Sequence, residues 1–512
     1  MKASQKGRLR LALAATVAAT VMTTGCSAVG TGDDADGNDV LTIANSGELV
    51  SFDTAQAADG LLIQYYQPVF DSLLRRAPDG TVEANLATDW TYSEDFTELT
   101  LTLRDDVTFT DGSAFTAEVA VANIQHQIDA NGVNASAVAT IEGLSAPNDT
   151  TLVIDLTTPD PGLVDALAVT VGLMASADSL SADDFETNPI GSGPYLLDSD
   201  DTVAGDTYTY TANPDYWNPD AVKFDEIVIK TITDATARLN AVKSGQVQGT
   251  PLDLTQFDDA ESSGLVVQAS RDDWLGLMIF DRDGSIVPAF ADDRVRQAIS
   301  YAIDRQAIVA AFRAGHGEPT TQVFNEDSAA FVAELDDEFP YDVDTAKALL
   351  AEAGYGDGFA ITLPDFGEIY GSEIFAVVTE QLAAIGITVE LETLPIPDLV
   401  QRTLTGQYAI GLTGGGLGTD WNTINSYFLE NSLFNPFHST DAQLDGYIDA
   451  IRTSQGDEQA ASYQELNRFI VTEGWATPFF RGDQVYASTD DVEIELQFGN
   501  IVPYISNFSP AA

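Results

Sequence analysis

Basic residues are scarce in this chain: 22 of its 512 residues are Lys or Arg, against 80 Asp or Glu, for a formal net charge of −58. Nucleic-acid binding relies on Lys and Arg to neutralise phosphates, so this balance excludes it. The same balance excludes adhesion to an anionic bilayer through a basic face. Cysteine is nearly absent: Cys26 stands alone, and a lone cysteine makes no intramolecular disulfide. Histidine is limited to His126, His316 and His438, none of them in an HExxH or Cys/His motif. Each reads as a surface or packing residue. Neither a GxSxG elbow nor a GxxxxGK[ST] phosphate loop occurs. Any ATP hydrolysis linked to this protein therefore belongs to another subunit. Acidic pairs are so abundant that no two stand out as a glycosidase dyad. The chain is expected to be no enzyme and to need no cofactor or metal.

What is present describes a globular protein. Hydrophobic residues make up 44% of the chain, which excludes wholesale disorder. Its length exceeds one core, so two or three domains are expected. The acids are spread along the sequence, which suits either a solvated acidic surface adapted to salt or a field that steers cationic ligands. Residues 1–25 have the form of a secretory signal, with a basic start and an apolar run from Leu11 to Met22 too short for a membrane span. Cys26 follows directly, and its setting resembles a bacterial lipobox, with Thr23 where leucine is usual. Residues 26–39 are small, polar and acidic, as in a flexible tether. Lipidation at Cys26 would hold the protein outside the cytoplasmic membrane.

Along the mature chain, short strands alternate with capped helices. Val40–Ala44 is an apolar strand, and Leu61–Leu74 has helical spacing interrupted by Pro68. Leu99, Leu101 and Leu103 alternate with threonines as in a half-buried strand. Asp111-Gly112 then makes a turn, and Thr116 is placed to cap a helix. Thr151–Leu156 is a further strand, followed by the turn Pro159-Asp160-Pro161-Gly162. Residues 274–281 read as a buried strand. Asp293–Phe312 reads as one amphipathic helix capped by Asp292 or Asp293, with arginines in structural roles. A capped helix stopped by Gly354 follows, and then a helix, Gly386 and an alternating strand from Ile387, which is α/β wiring.

The window Asn188–Trp217 breaks that alternation. Pro189, Gly191, Gly193 and Pro194 fall within six residues, so no regular element can pass through them. Its GSGPY, followed by NPDYW, resembles the signature of extracytoplasmic solute-binding proteins of ABC importers, the peptide/nickel-binding family (family 5). LATDW, the strand after it, the Phe-x-Asp-Gly turn and Asp293-Arg-Val-Arg-Gln-Ala agree in order, and the resemblance spans roughly residues 40–510. Gln248 stands where members usually carry aspartate, and Phe52-Asp53-Thr54 replaces a Leu-Asp-Pro turn.

The resemblance implies an α/β, periplasmic-binding-protein-like (class II) two-lobed fold with an additional inserted domain. Lobe one would comprise 40–75, 189–285 and 481–512, the insertion 76–188, and lobe two 286–480. It also implies a monomer that captures oligopeptides in an interlobe cleft and delivers them to permease transmembrane subunits with associated ATPases. Other solutes within the family, a nickel chelate or an oligosaccharide, remain open, as do a signalling receptor and an exported hydrolase. Gly-Thr419-Asp420-Trp421-Asn resembles the family segment whose aspartate pairs with a peptide α-amino group, so Asp420 is the implied amine anchor, with Thr419 beside it. A carboxylate in a closed cleft makes a charge-assisted bond to an ammonium and penalises ligands lacking one. Trp421 and Trp274 are expected on the cleft walls, and Glu48 on a rim loop.

Overall fold

The computed structural model describes residues 39–313, 315–415 and 418–511. The expected export segment 1–25, Cys26 and the tether as far as residue 38 lie outside them. Among the described residues no helix is long and apolar enough to cross a membrane.

A nine-stranded sheet forms the frame. Its strand Val40–Asn45 pairs in parallel with Glu226–Thr231. Glu226–Thr231 pairs antiparallel with Thr207–Ala212, which in turn pairs with Tyr195–Leu197. On the other flank come Gly249–Leu252, then Ala476–Ser488, Val266–Ile279 and Ile410–Gly415. Two of these strands are long, with 14 residues in Val266–Ile279 and 13 in Ala476–Ser488. Through Val485–Ser488 the pair is joined to Gly249–Leu252, and through Trp274–Ile279 to Ile410–Gly415. Most buried apolar residues from 41 to 229 and from 486 to 508 form one cluster. Those from 274 to 480 form others. One ladder therefore runs from the first apolar body into the second. Its register shifts between Ser270 and Asp273 and again between Leu275 and Gly276, and such bulges bend a strand locally. At Gly276 a Cβ would lie 2.4 Å from Pro478 Cα, so only glycine fits against the partner strand.

A second sheet, of four antiparallel strands, follows the order Ala87–Tyr92, Glu98–Leu103, Thr151–Leu156, Ile141–Asn148. Leu99, Leu101 and Leu103 are buried there, as their alternation requires. Thr116 caps the helix Ala117–Ala130, accepting from Val119 N. Asp342 caps Val343–Glu352, after which Gly354 takes φ +89°. Gly386 takes φ +94° between the helix Ser372–Ala384 and the strand Ile387–Glu392.

Two helices are shorter than their spacing predicts. The helix expected over Leu61–Leu74 is confined to Ile63–Tyr66. The carbonyls of Pro68 and Val69, freed from helix geometry, accept instead from Tyr195 N and Gly193 N, each at 2.8 Å. The helix expected over Asp293–Phe312 divides into Asp293–Ala302 and Arg305–Phe312. Ile303 turns extended, Asp292 caps the first part, and Asp304 caps the second through Ala307 N. Arg305 then sends its guanidinium to the carbonyls of Ser300, Thr320, Phe339 and Pro478. Gln248 explains its own departure from aspartate: its Oε1 accepts from Thr42 N and its Nε2 donates to Val40 O, a double role no carboxylate can fill.

The Gly-Pro window owes its composition to one close approach. A Cβ at Gly191 would lie 2.0 Å from Val69 O, and one at Gly193 would lie 2.5 Å from the Val69 carbonyl carbon. The chain on either side then converges on Asp71. Ser192 Oγ and Trp217 Nε1 donate to its Oδ2 and Tyr216 OH donates to its Oδ1, all within 2.9 Å. Burial pushes the Asp71 pKa up to about 6, outweighing these donors, which pull it down. Replacing Asp71 by Ala strands three donors in the interior and is expected to lower the unfolding free energy by about 3 kcal/mol. The folded carboxyl keeps its proton up to about pH 6, whereas the unfolded one loses it near 3.8. Its stabilising contribution is therefore greatest at low pH and declines as pH rises through that window. In urea titrations between pH 4 and 7 the wild type should lose more stability than Asp71→Asn; equal losses would contradict this assignment.

Candidate functional site

Two cavities meet at the helix Asp420–Tyr427. One, of about 490 Å³, is walled by Trp274, Tyr427, Tyr370, Phe480, Arg313 and the glycines Gly414 and Gly415. The other, of about 510 Å³, is walled by Asp59, Arg76, Asp160 and Asp165 on one side and by Trp421, Asn425 and Arg452 on the other. Asn422 and Ser426 line both, because residues four apart share a helix face. The second cavity thus takes its walls from both apolar bodies.

The two bodies touch beside it through glycines. A Cβ on Gly162 would lie 2.5 Å from Trp421 Cδ1, so the indole rests directly on the backbone of the Pro-Asp-Pro-Gly turn. Gly418 N donates to Gly499 O at 2.9 Å, and Gly499, at φ +69°, leaves no room there for a side chain. Trp421 also carries the Arg452 guanidinium 5.3 Å from its ring centre. Trp274 is 2% exposed, lies 5.7 Å from the Tyr427 ring, and buries its indole Nε1 without a hydrogen-bond partner. Tyr427 donates its hydroxyl to Gly414 O at 2.7 Å.

Carboxylates dominate the electrostatics. Burial pushes the Asp165 pKa up to about 6; Arg76 opposes the rise, and Asp420 and Asp160 add to it. Arg76 is almost fully buried and bonds Asp59 at 3.3 Å. Asp420 is the first residue of its helix, where a negative charge suits the dipole. It accepts from Ser328 Oγ and from Ala330 N, and burial raises its pKa against those bonds. Thr419 caps the same helix, its Oγ accepting from Asn422 N.

Among the residues singled out in the sequence, Trp274 and Trp421 line the cavities. Thr419 and Asp420 sit at the terminus of the helix that separates them, and Glu48 is exposed beside Gly205, away from both. Asp160, Asp165, Arg452, Tyr427 and Tyr370 were not singled out. Asp160 lay in a visible turn, but nothing local tells a turn aspartate from a cavity aspartate. None of the three histidines lines either cavity. His126 Nε2 instead pairs with Asp53 at 2.6 Å, a contact that raises the histidine pKa. Among the described residues no group of three or more His, Cys, Asp or Glu side chains is placed to hold a metal.

The family model "bacterial extracellular solute-binding proteins, family 5 middle" matches residues 81–434. The chain is 26% identical over 458 residues to the glutathione-binding protein GsiB of Salmonella typhi, covering 85% of this chain and 87% of that protein. In structure it resembles HbpA2 of Haemophilus parasuis, with a TM-score of 0.83, 22% identity, and coverage of 93% and 100% of the two chains. It also resembles NikA of Brucella suis in complex with Fe(III)-EDTA, with a TM-score of 0.77, 20% identity, and coverage of 92% and 99%. These neighbours share the two-lobed α/β fold. Family members are extracytoplasmic proteins that bind small ligands or peptides and work with an ABC permease and its ATPase. With two thirds of its length inside the family model, the chain belongs to the family 5 bacterial extracellular solute-binding proteins and is the solute-binding component of an ABC importer.

Proposed function

We propose that the protein is a monomeric lipoprotein, anchored through Cys26 after removal of residues 1–25, that captures oligopeptides between its lobes. Lobe one is drawn from 40–75, 189–285 and 481–512, the insertion from 76–188, and lobe two from 286–480. The observation that carries the peptide reading is the imbalance of charge at the shared cavity. Asp160 and Asp165 line it and Asp420 lies close enough to raise the Asp165 pKa, while Arg76 is engaged with Asp59 and Arg452 lies against Trp421. Carboxylates that repel one another in a closed cavity are stabilised together by an ammonium group. Bonds from Ser328 and from the Ala329 and Ala330 backbone fix the Asp420 carboxylate, and a carboxylate with about four acceptor sites keeps one for a ligand amine. Ligand bound to both sides favours the closed arrangement, and the long paired strands are the path along which the lobes rotate.

Calorimetry with trialanine tests this reading. Wild type should bind it, Asp420→Ala should bind at least about tenfold more weakly, and N-acetyl-trialanine should fail to compete. Because the Asp165 carboxylate takes up a proton near pH 6, affinity should fall between pH 7 and pH 5, and Asp165→Asn should flatten that fall. Equal binding of the acetylated peptide would refute the amine anchor. Gly162→Ala, whose methyl group would collide with Trp421, should weaken trialanine binding while leaving the melting temperature nearly unchanged. Unchanged affinity in that variant would show that the glycine contact plays no part in the bound state.

A further inference from the structure

A third cavity, of about 230 Å³, adjoins the one walled by Trp274. Phe280, Phe366, Leu404, Leu412 and Phe434 form its interior. No charged residue lines it, although one residue in five of this chain is charged. Its threonine hydroxyls are already engaged: Thr403 donates to Leu399 O at 2.9 Å, and Thr413 bonds to Tyr370. The lining is therefore predominantly hydrocarbon, with its threonine hydroxyls already bonded.

Two further observations bear on its occupant. Ile369, Val400 and Leu433 are 56%, 40% and 59% exposed and converge on it from three separate segments. Apolar side chains so exposed and so grouped mark a binding surface. In addition, Ile369, Tyr370 and Gly414 line both this cavity and the Trp274 cavity. Phe434 stacks on Tyr427 at 4.9 Å and 16°, so one aromatic pair walls both spaces. A solute in the polar cavities thus has an apolar recess within reach.

We propose that this recess is a specificity subsite for one aliphatic or aromatic side chain of the bound solute. The choice of peptide probes rests on the proposed function above; the recess itself does not. Burying a leucine side chain there should tighten binding about tenfold or more.

The test uses trialanine and the three tripeptides in which leucine replaces one alanine, titrated into wild type and into the Val400→Asp, Leu433→Asp double variant. In wild type, leucine at one position should tighten binding about tenfold or more, and in the double variant that ratio should collapse towards one. A leucine preference undiminished in the double variant would overturn the proposal by placing the side chain elsewhere. Equal affinities across the series, with a double variant impaired only in docking on the permease, would overturn it in favour of a partner surface. If even trialanine fails to bind, the peptide reading falls and xenon decides the subsite. Xenon density in the recess of pressurised crystals supports an apolar guest, and an empty recess overturns it.

Discussion

The two antiparallel strands Val266–Ile279 and Ala476–Ser488 are the constraint on which the rest of the molecule depends. Each apolar body contributes further strands to one end of this pair, so neither can move without bending it. The ladder is interrupted at two shifts, beside Ser270 and Gly276, and such bulges bend a strand locally. Charged groups gather there too: Arg313 donates to Asp483 O, Gln484 donates to Asp273, and Arg271 bonds Asp483. Trp274 lies directly after the first shift, so the strand that links the lobes also presents a wall of the cavity.

Scarcity of cations gains a physical meaning from the interior. Arg282, Arg296, Arg305 and Arg481 are all nearly fully buried. Arg305 gathers four carbonyls, and Arg282 bonds Ile279 O and Tyr427 O while lying 4.3 Å from the Trp475 ring. Burial pushes the Arg282 pKa down to about 9 and that of Arg305 to about 10, so both keep their charge at neutral pH. With so many of its few arginines committed to backbone carbonyls, few remain elsewhere; at the shared cavity Arg76 is paired with Asp59 and Arg452 lies against Trp421.

Legibility in the sequence followed the range of the forces involved. Caps and stops such as Thr116, Asp342, Gly354 and Gly386 act within a few residues, and they appear where their spacing places them. The break at Ile303 did not show, because helical periodicity continues across it while Arg305 is drawn to carbonyls far away in sequence. Asp71 looked like an ordinary residue of a helical stretch; its role depends on Ser192, Tyr216 and Trp217, more than a hundred positions later. The same holds for the cavity. Trp274 and Trp421 were legible through their strand and motif, whereas Asp165 and Arg452 meet there only after folding.

We propose that the interlobe cavity holds a solute bearing a free amino group. Mass spectrometry of small molecules released by denaturing the protein purified from its native membrane tests it most directly. Wild type is expected to release a ladder of short peptides with free N-termini, lost in Asp420→Ala. A single species without an amino group, or peptides retained undiminished by that variant, would contradict it.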